Sequence, residues 1–194
     1  MDKIEIPLMK DNHTHPSQYA AFSDSIDLQN IRWKEEAVKK LRRIESDDVS
    51  VITGWNSGHY NFNKKDIDEF SPMVICNLSF HQFLINKRAQ SILEDDYPEL
   101  VENIENRRWV EENLPKILKR LTIIKFDGYH QLKKYFSDLL NKGVWYAEEM
   151  MMPSEEIYYS FKKSDLLQRT GLWTGMDAFS RMSNETKENI KGIK

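Results

Sequence analysis

Two histidines near the start of the chain have the spacing of a metal site. His13 and His15 are separated by one residue and follow Asp11, at the end of a short apolar segment that runs from Ile4 to Met9. Because successive strand side chains point to opposite faces, Asp11, His13 and His15 would project to one side. Two imidazole nitrogens there could each bind zinc at about 2.0–2.1 Å. Pro16 cannot extend a central strand, so we expect the strand to end where these ligands are presented.

A catalytic metal needs more than two protein ligands. Zinc hydrolases use about three protein ligands, an open coordination position and a base for the activated water. Four other side chains could supply the third donor: His59, His81, Glu148 and Glu149. Each of these side chains could also have an ordinary structural role. For example, His59 could be a solvated loop residue, and His81 could cap a helix. The sequence also leaves open that His13 and His15 are ordinary polar loop residues.

Apolar, β-branched segments alternate along the chain with amphipathic, charged ones. After the first strand, strands are predicted at 49–53, 73–78 and 144–150, with an irregular or β segment at 171–179. Apolar residues at helical spacing and turn signals predict helices at 31–44, 66–70, 82–121, 129–140 and 154–167. Pro98 and Pro115 are expected to mark restarts within the third of these helices.

This alternation predicts an α/β fold of about four or five parallel strands with helical crossovers. Ligands of such folds gather at the carboxyl ends of the strands. The residues that could carry chemistry fall at or just after predicted strand ends: His13, His15, Trp55, His59, His81, Glu148 and Glu149. Neither an internal repeat nor a linker is evident, so residues 1–194 are expected to form a single domain.

Composition narrows the class of protein. With 30% charged and 40% hydrophobic residues, the 194-residue chain is typical of a soluble globular domain. The formal net charge of −3 argues against a nucleic-acid partner. The one cysteine, Cys76, lies in an apolar segment and is expected to be buried in a reducing compartment. Without an apolar stretch of 18 residues or a signal peptide, the sequence predicts a cytoplasmic protein with no membrane span.

Several of these motifs resemble the amidohydrolase superfamily, which comprises metal-dependent hydrolases built on a (β/α)₈ barrel. The segment from Asp11 to Pro16, with His13 and His15, resembles the motif of its first strand. The segment from Val74 to His81, with Asn86 five residues later, resembles a stretch of the amidohydrolase 3 branch. In that stretch a strand ends at a histidine and a helix then begins at an asparagine.

Two shorter segments extend the resemblance in the same order along the chain. Gly54-Trp55-Asn56 resembles the Gly-Trp-Asp/Asn motif that this branch carries one strand earlier. Gly143-Val144 and the acidic pair that follows resemble a Gly-Val-Thr strand that leads to an acidic residue, although Trp145 replaces the threonine. The resemblance therefore covers the chain from Asp11 to about Glu149.

The resemblance implies a divalent metal, with zinc expected, that activates water to hydrolyse amide-like carbon–nitrogen bonds of a small-molecule substrate. It implies that His13 and His15 are metal ligands. His81 would be the catalytic residue that contacts the scissile carbonyl or the developing oxyanion, and it would line the substrate pocket together with Trp55.

The chain also departs from the family pattern. The superfamily barrel has eight strands, and its later strands carry a lysine that is often carboxylated, two further histidines and an aspartate. Lys194 could occupy the lysine position, but no histidine follows His130. The expected fold is therefore a partial (β/α) TIM-type barrel that corresponds to the N-terminal part of such an enzyme.

Three functions remain open at this point. The first is a metal-dependent amidohydrolase, and the second is a non-catalytic barrel fragment or subunit that needs a partner chain or oligomer to complete it. The open sheet edges of a partial barrel favour such association. The third is a phosphoesterase of the TatD or PHP type. Whether the isolated chain is an enzyme is left undecided.

Overall fold

The computed structural model of the chain describes residues 7–194, so most of the apolar segment predicted at 4–9 lies outside the described residues. The elements in chain order are β1 (Met9–Thr14), α1 (Pro16–Phe22), β2 (Ile26–Asp27), α2 (Lys34–Leu41), β3 (Ser50–Trp55), α3 (Lys64–Ile67), β4 (Met73–Asn77), β5 (Phe83–Ile85), α4 (Lys87–Leu93), α5 (Pro98–Asn103), α6 (Arg107–Lys125), α7 (Tyr129–Asn141), β6 (Val144–Glu149), α8 (Glu155–Lys163), β7 (Thr170–Thr174), α9 (Met176–Arg181), α10 (Asn184–Glu188) and β8 (Ile190–Ile193).

The described residues divide into two compact units. The first unit combines residues 7–23 with residues 126–194, and the second unit is the continuous segment 24–125. Each unit has its own four-stranded sheet. The prediction of one domain over residues 1–194 is not tested by this division and stays a prediction.

The sheet of the first unit has the order β1-β6-β7-β8, and each pair of neighbouring strands is parallel. One of its faces is apolar and contributes Ala147 and Leu172 to a core with side chains of α7 and α8, including Phe136 and Phe161. Full burial of such a side chain stabilises the fold by about 1.5–3 kcal/mol. Helix α8 connects β6 to β7, and α9 and α10 connect β7 to β8.

The sheet of the second unit has the order β2-β3-β4-β5, in which β5 is antiparallel to β4 and the other pairs are parallel. Its core includes Ile52, Trp55 and Ile75. Gly54 has a φ of +77°, and a Cβ at this position would lie 2.0 Å from Asp27 Oδ1. The glycine of the Gly-Trp-Asn motif therefore lets the β2 segment approach the bent end of β3.

The structure confirms the prediction of an α/β fold with parallel strands and helical crossovers. A partial barrel is not seen, since neither sheet of the described residues is closed. The short strand β2 was not predicted, and β5 lies at the start of the segment 82–121, where the prediction of a helix was wrong. Two or three residues are too few to show an alternating pattern.

The two prolines predicted as helix restarts behave differently. Pro98 lies in the first turn of α5, as predicted. Pro115 lies inside the 19-residue helix α6, so the prediction of a restart there was wrong. An interior proline costs about 3 kcal/mol. Buried side chains on both sides of it, Val110 and Ile117 among them, keep the helix continuous.

In the described part of the chain, no helix combines the length and the apolar character needed to cross a membrane.

The other face of the first unit's sheet carries a polar network. The Glu148 carboxylate accepts hydrogen bonds from Trp173 Nε1 at 2.6 Å and from Lys191 Nζ at 2.8 Å. Lys191 also donates to the Tyr146 hydroxyl at 2.5 Å. A Cβ at Gly171 would lie 2.1 Å from Glu148 Oε2 and 2.6 Å from Lys191 Nζ. The network therefore crosses β7 at Gly171, the residue of this strand that has no side chain.

We expect Gly171→Ala to lower the free energy of unfolding by about 1–3 kcal/mol, because the new methyl group forces the Glu148–Lys191 pair apart. Urea denaturation measures this change. Gly175→Ala is the matched control, since its Cβ would meet only the Lys194 carbonyl oxygen at 3.9 Å. Equal stability of the Gly171 variant and the wild type would contradict this account of the network.

The same network predicts a pH dependence of stability. Desolvation opposes the charge of Glu148, but hydrogen bonds from Lys191 and Trp173 outweigh it and lower the pKa of the carboxyl from 4.5. Hydrogen bonds to Glu148 and Tyr146 raise the pKa of Lys191 from 10.5. The pair therefore stabilises the fold between these two values.

We expect this stabilisation to disappear as the pH falls below 4.5 through the lowered pKa of Glu148, or rises above 10.5 through the raised pKa of Lys191. The measurement is the difference in unfolding free energy between wild type and Glu148→Gln across the pH range. A difference that stays constant from acid to alkaline pH would rule out the ion pair as its source.

Candidate functional site

His13 and His15 lie at the junction between β1 and α1. Strand β1 ends at Thr14 and α1 begins at Pro16, so the chain turns where the sequence predicted. The centroids of the two imidazole rings are 5.9 Å apart and the rings are nearly perpendicular, at 83°. His13 is exposed and donates its backbone N–H to Asp11 Oδ1 at 3.1 Å. The two rings are therefore neighbours at the carboxyl end of β1.

An irregularity in β1 lies between Asp11 and Thr14, in the stretch that contains His13. In the pairing with β6, Asp11 is opposite Ala147 and Thr14 is opposite Glu149, so one strand advances three residues while the other advances two. Such a β-bulge re-aims the side chains that follow it, and bulges are common near functional sites. The regular alternation that the sequence predicted from Asp11 onwards is therefore interrupted between Asp11 and Thr14.

Glu149 is the fully buried carboxylate at the end of β6. Its Oε2 accepts the Ser17 N–H at 2.7 Å, and its Oε1 accepts the Met151 N–H at 3.0 Å. The first of these N–H groups belongs to the start of α1, where the helix itself offers no acceptor. A buried carboxylate is costly unless it is hydrogen-bonded, and these two bonds offset part of that cost.

His15 Nδ1 lies 3.7 Å from Glu149 Oε1, which is too long for a hydrogen bond. This nitrogen is buried, and it has no hydrogen-bond partner among the described residues. A buried polar atom without a partner is rare and calls for an explanation such as a water molecule or an ion. The region between His15 and Glu149 therefore has the chemistry of a cation site.

The donor types fit a divalent metal, because imidazole nitrogen and carboxylate oxygen are both zinc ligands. Within residues 7–194, however, no three His, Cys, Asp or Glu side chains converge as a set of metal ligands. Glu149 faces His15, and the His13 ring lies beside the His15 ring. The structure thus shows a histidine–carboxylate pair with a second imidazole next to it, rather than a finished three-ligand site.

Tyr135 of α7 is a neighbour of this region that the sequence did not indicate. Its ring stacks on that of Tyr19 of α1, with centroids 5.9 Å apart and an angle of 3°. Burial raises the pKa of Tyr135, a hydrogen bond with Thr14 lowers it, and the Asp11 and Glu149 charges raise it further. The phenol therefore stays protonated at neutral pH and can donate a hydrogen bond near the end of β1.

Three other predicted site residues lie in the second unit, whereas His13 and His15 lie in the first. Trp55 is 1% exposed in the second unit's core, and its Nε1 donates to the Tyr60 carbonyl at 2.9 Å. His81, also in the second unit, is 46% exposed and lies 3.5 Å from Glu111. His59 is exposed in the loop after β3.

Two other predictions concern the second unit. Asn86 begins α4 as predicted, since its side chain accepts the Ala89 N–H at 3.0 Å. Cys76 is fully buried, as its apolar surroundings predicted. Burial raises the pKa of the Cys76 thiol far above its usual value. Cys76 is therefore a core residue, because only the thiolate is reactive and burial disfavours that form.

We expect Glu149→Ala to lower the free energy of unfolding by about 2–4 kcal/mol, because the Ser17 and Met151 N–H groups would each lose their acceptor at about 1–3 kcal/mol. Chemical denaturation monitored by circular dichroism measures the loss. Glu149→Gln should lose less, since its amide oxygen can still accept one of the two bonds. An alanine variant as stable as the wild type would refute this role.

Comparison with known proteins gives a fold likeness. Neither a protein-family model nor a curated protein matches this sequence. The structure is similar to the crystal structure of an uncharacterized metal-dependent hydrolase from Pyrococcus horikoshii OT3, with a TM-score of 0.62 and 16% identity. It is also similar to that of an uncharacterized metal-dependent hydrolase from Pyrococcus furiosus, with a TM-score of 0.60 and 17% identity.

The similarity extends over most of this chain but only part of the two hydrolases. It covers 90% of this chain in both comparisons, and 38% and 39% of the two hydrolase chains. At such low identity, the likeness establishes a shared fold. The chain thus has the fold of a segment that spans less than two fifths of each hydrolase.

Proposed function

We propose that this chain is a metal-dependent hydrolase of the amidohydrolase type, which cleaves amide-like carbon–nitrogen bonds of small molecules. The observation that carries the proposal is the buried, unpartnered Nδ1 of His15 opposite the carboxylate of Glu149. This pair lies at the carboxyl ends of two adjacent parallel strands, β1 and β6, where α/β folds bind their ligands. The fold likeness to two metal-dependent hydrolases is consistent with it.

In this proposal His15 and Glu149 would contact the ion, an imidazole and a carboxylate donor that both suit zinc. The neighbouring His13 would have to turn toward them to complete the site, because no three ligands converge within residues 7–194. Hydrogen bonds from the Ser17 and Met151 amides keep the carboxylate in place. A divalent cation bound there would lower the pKa of a water molecule to about 7 and make hydroxide available at neutral pH.

The resemblance to the amidohydrolase 3 branch supplies the rest of the proposal. It assigns His81 to contact with the scissile carbonyl and Trp55 to the wall of the substrate pocket. Both assignments stay predictions, as does the preference for carbon–nitrogen bonds.

A second candidate is a non-catalytic subunit that binds metal only with a partner chain. In the described residues, β8 pairs on one side with β7 and stands at the edge of its sheet. An unpaired strand edge is a ready template for a strand of another chain. The absence of a converged third ligand within residues 7–194 also favours this candidate.

Zinc titration of the metal-free chain, followed by calorimetry, tests the proposal. We expect about one zinc ion per chain, and a loss of affinity greater than about tenfold in His15→Ala, because even outer-shell partners of a metal are worth this much. His130→Ala is the matched control: this exposed histidine of the same unit lies 3.5 Å from Asp127. Failure to bind stoichiometric zinc, or an equal loss in both variants, would overturn the metal site.

Substrate assays then separate the candidate functions. Zinc-dependent hydrolysis of N-acyl amino acids that His15→Ala abolishes supports the amidohydrolase reading. Hydrolysis of phosphodiesters instead would support the phosphoesterase reading. A chain that neither binds stoichiometric zinc nor hydrolyses either substrate would favour the subunit that needs a partner chain.

A further inference from the structure

A cavity of about 170 Å³ in the second unit is surrounded by polar side chains. It lies beyond the carboxyl ends of β3 and β4, where parallel strands of α/β folds present ligand sites. Its lining residues are Ser57, Asn77, Ser79, His81, Gln82 and Arg107. The cavity holds the equivalent of about five or six water molecules, at ~30 Å³ each, so it suits a small and strongly polar group.

The turn that forms one wall of the cavity is fixed around Asn77. The side-chain oxygen of Asn77 accepts the N–H of His81 at 3.0 Å and that of Gln82 at 3.1 Å. Its amide nitrogen donates to Ser79 Oγ at 3.2 Å, and the Ser79 hydroxyl donates back to Asn77 Oδ1 at 3.4 Å. Phe80 adopts a φ of +58°, a conformation unfavourable for a bulky residue. The side chains on this turn are therefore held in place without a ligand.

The positive charge at the cavity comes from Arg107, the first residue of α6. Glu111, one turn later, lies 3.6 Å from Arg107 Nε and 3.5 Å from His81 Nδ1. These contacts occupy one nitrogen of each side chain, and the Glu111 carboxylate offsets part of the positive charge. The terminal guanidinium nitrogens of Arg107, whose side chain is 84% exposed, remain as donors for a ligand. Asn106 already accepts the first free N–H groups of α6. The side chain of Arg107, rather than the helix terminus, would therefore attract an anion.

We propose that this cavity binds a small oxyanion, namely a carboxylate or phosphate group. Hydroxyl, amide and guanidinium groups line it, and all of them can donate hydrogen bonds. The planar guanidinium matches the oxygen spacing of carboxylate and phosphate, and it repels a free cation. His81 is also the residue to which the proposed hydrolase function assigns a substrate contact, but anion binding in this cavity does not depend on a bound metal.

The test is a titration of the full metal-free chain with sodium phosphate, and separately with sodium acetate, followed by ¹H–¹⁵N NMR spectra. Sodium chloride keeps the ionic strength constant, and the pH is fixed. We expect saturable shifts of the backbone amides of Ser57, Ser79 and His81. Arg107→Gln should weaken binding at least about tenfold, because it removes a charge-assisted hydrogen bond. Ser79→Ala should weaken it less, because it removes a neutral donor.

Arg108→Gln is the matched control for Arg107→Gln. Arg108 is the next residue, is 89% exposed, pairs with Glu112 at 3.0 Å and does not line the cavity. It should bind as tightly as the wild type. Saturation by only one of the two anions would identify the oxyanion and support the site. Shifts that do not saturate with either anion, or an equal loss in both arginine variants, would overturn it.

Discussion

The buried carboxylate of Glu149 is the interaction on which the candidate site depends. It joins three parts of the first unit, since it belongs to β6, accepts a hydrogen bond from the start of α1 and faces the histidine that links β1 to α1. Removing a carboxylate from water is expensive, and only matched donors make the burial tolerable. The positions of His15 and of the first turn of α1 are therefore set by where this charge can find its partners.

The two faces of the first unit's sheet are stabilised by different kinds of interaction. Parallel sheets are normally covered on both faces, and here one face packs on apolar helix side chains while the other carries the Glu148 network. Lys191 and Trp173 reach Glu148 from neighbouring strands, so the network ties β6, β7 and β8 together by directed bonds. Stability on this face therefore comes from charge and hydrogen-bond geometry more than from apolar area, and it is sensitive to pH.

Local sequence patterns predicted most of the strands and helices, because β-branched runs and helical spacing are visible within a dozen residues. The same patterns found His13 and His15, and they placed Glu149 at a strand end. They could not show that Glu149 accepts a hydrogen bond from Ser17, 132 residues away, or that the pairing of β1 is irregular between Asp11 and Thr14. Glu149 shares its strand face with the apolar Ala147, which is the one signal that could have marked it as buried. Contacts between segments that are far apart in the sequence depend on the whole fold, so local periodicity cannot predict them.

The division of the chain has a consequence for the order in which it folds. The second unit is one continuous segment, whereas the first is assembled from residues on either side of it. Strand β1 is synthesised before segment 24–125, but its neighbour β6 is synthesised only after the whole of that segment. Closing so long a loop carries an entropic cost that short-range contacts avoid. During translation the inserted segment can therefore fold first, and the histidine-bearing strand β1 is without its partner β6 until residues 144–149 have been synthesised, which exposes it to pairing with a wrong strand.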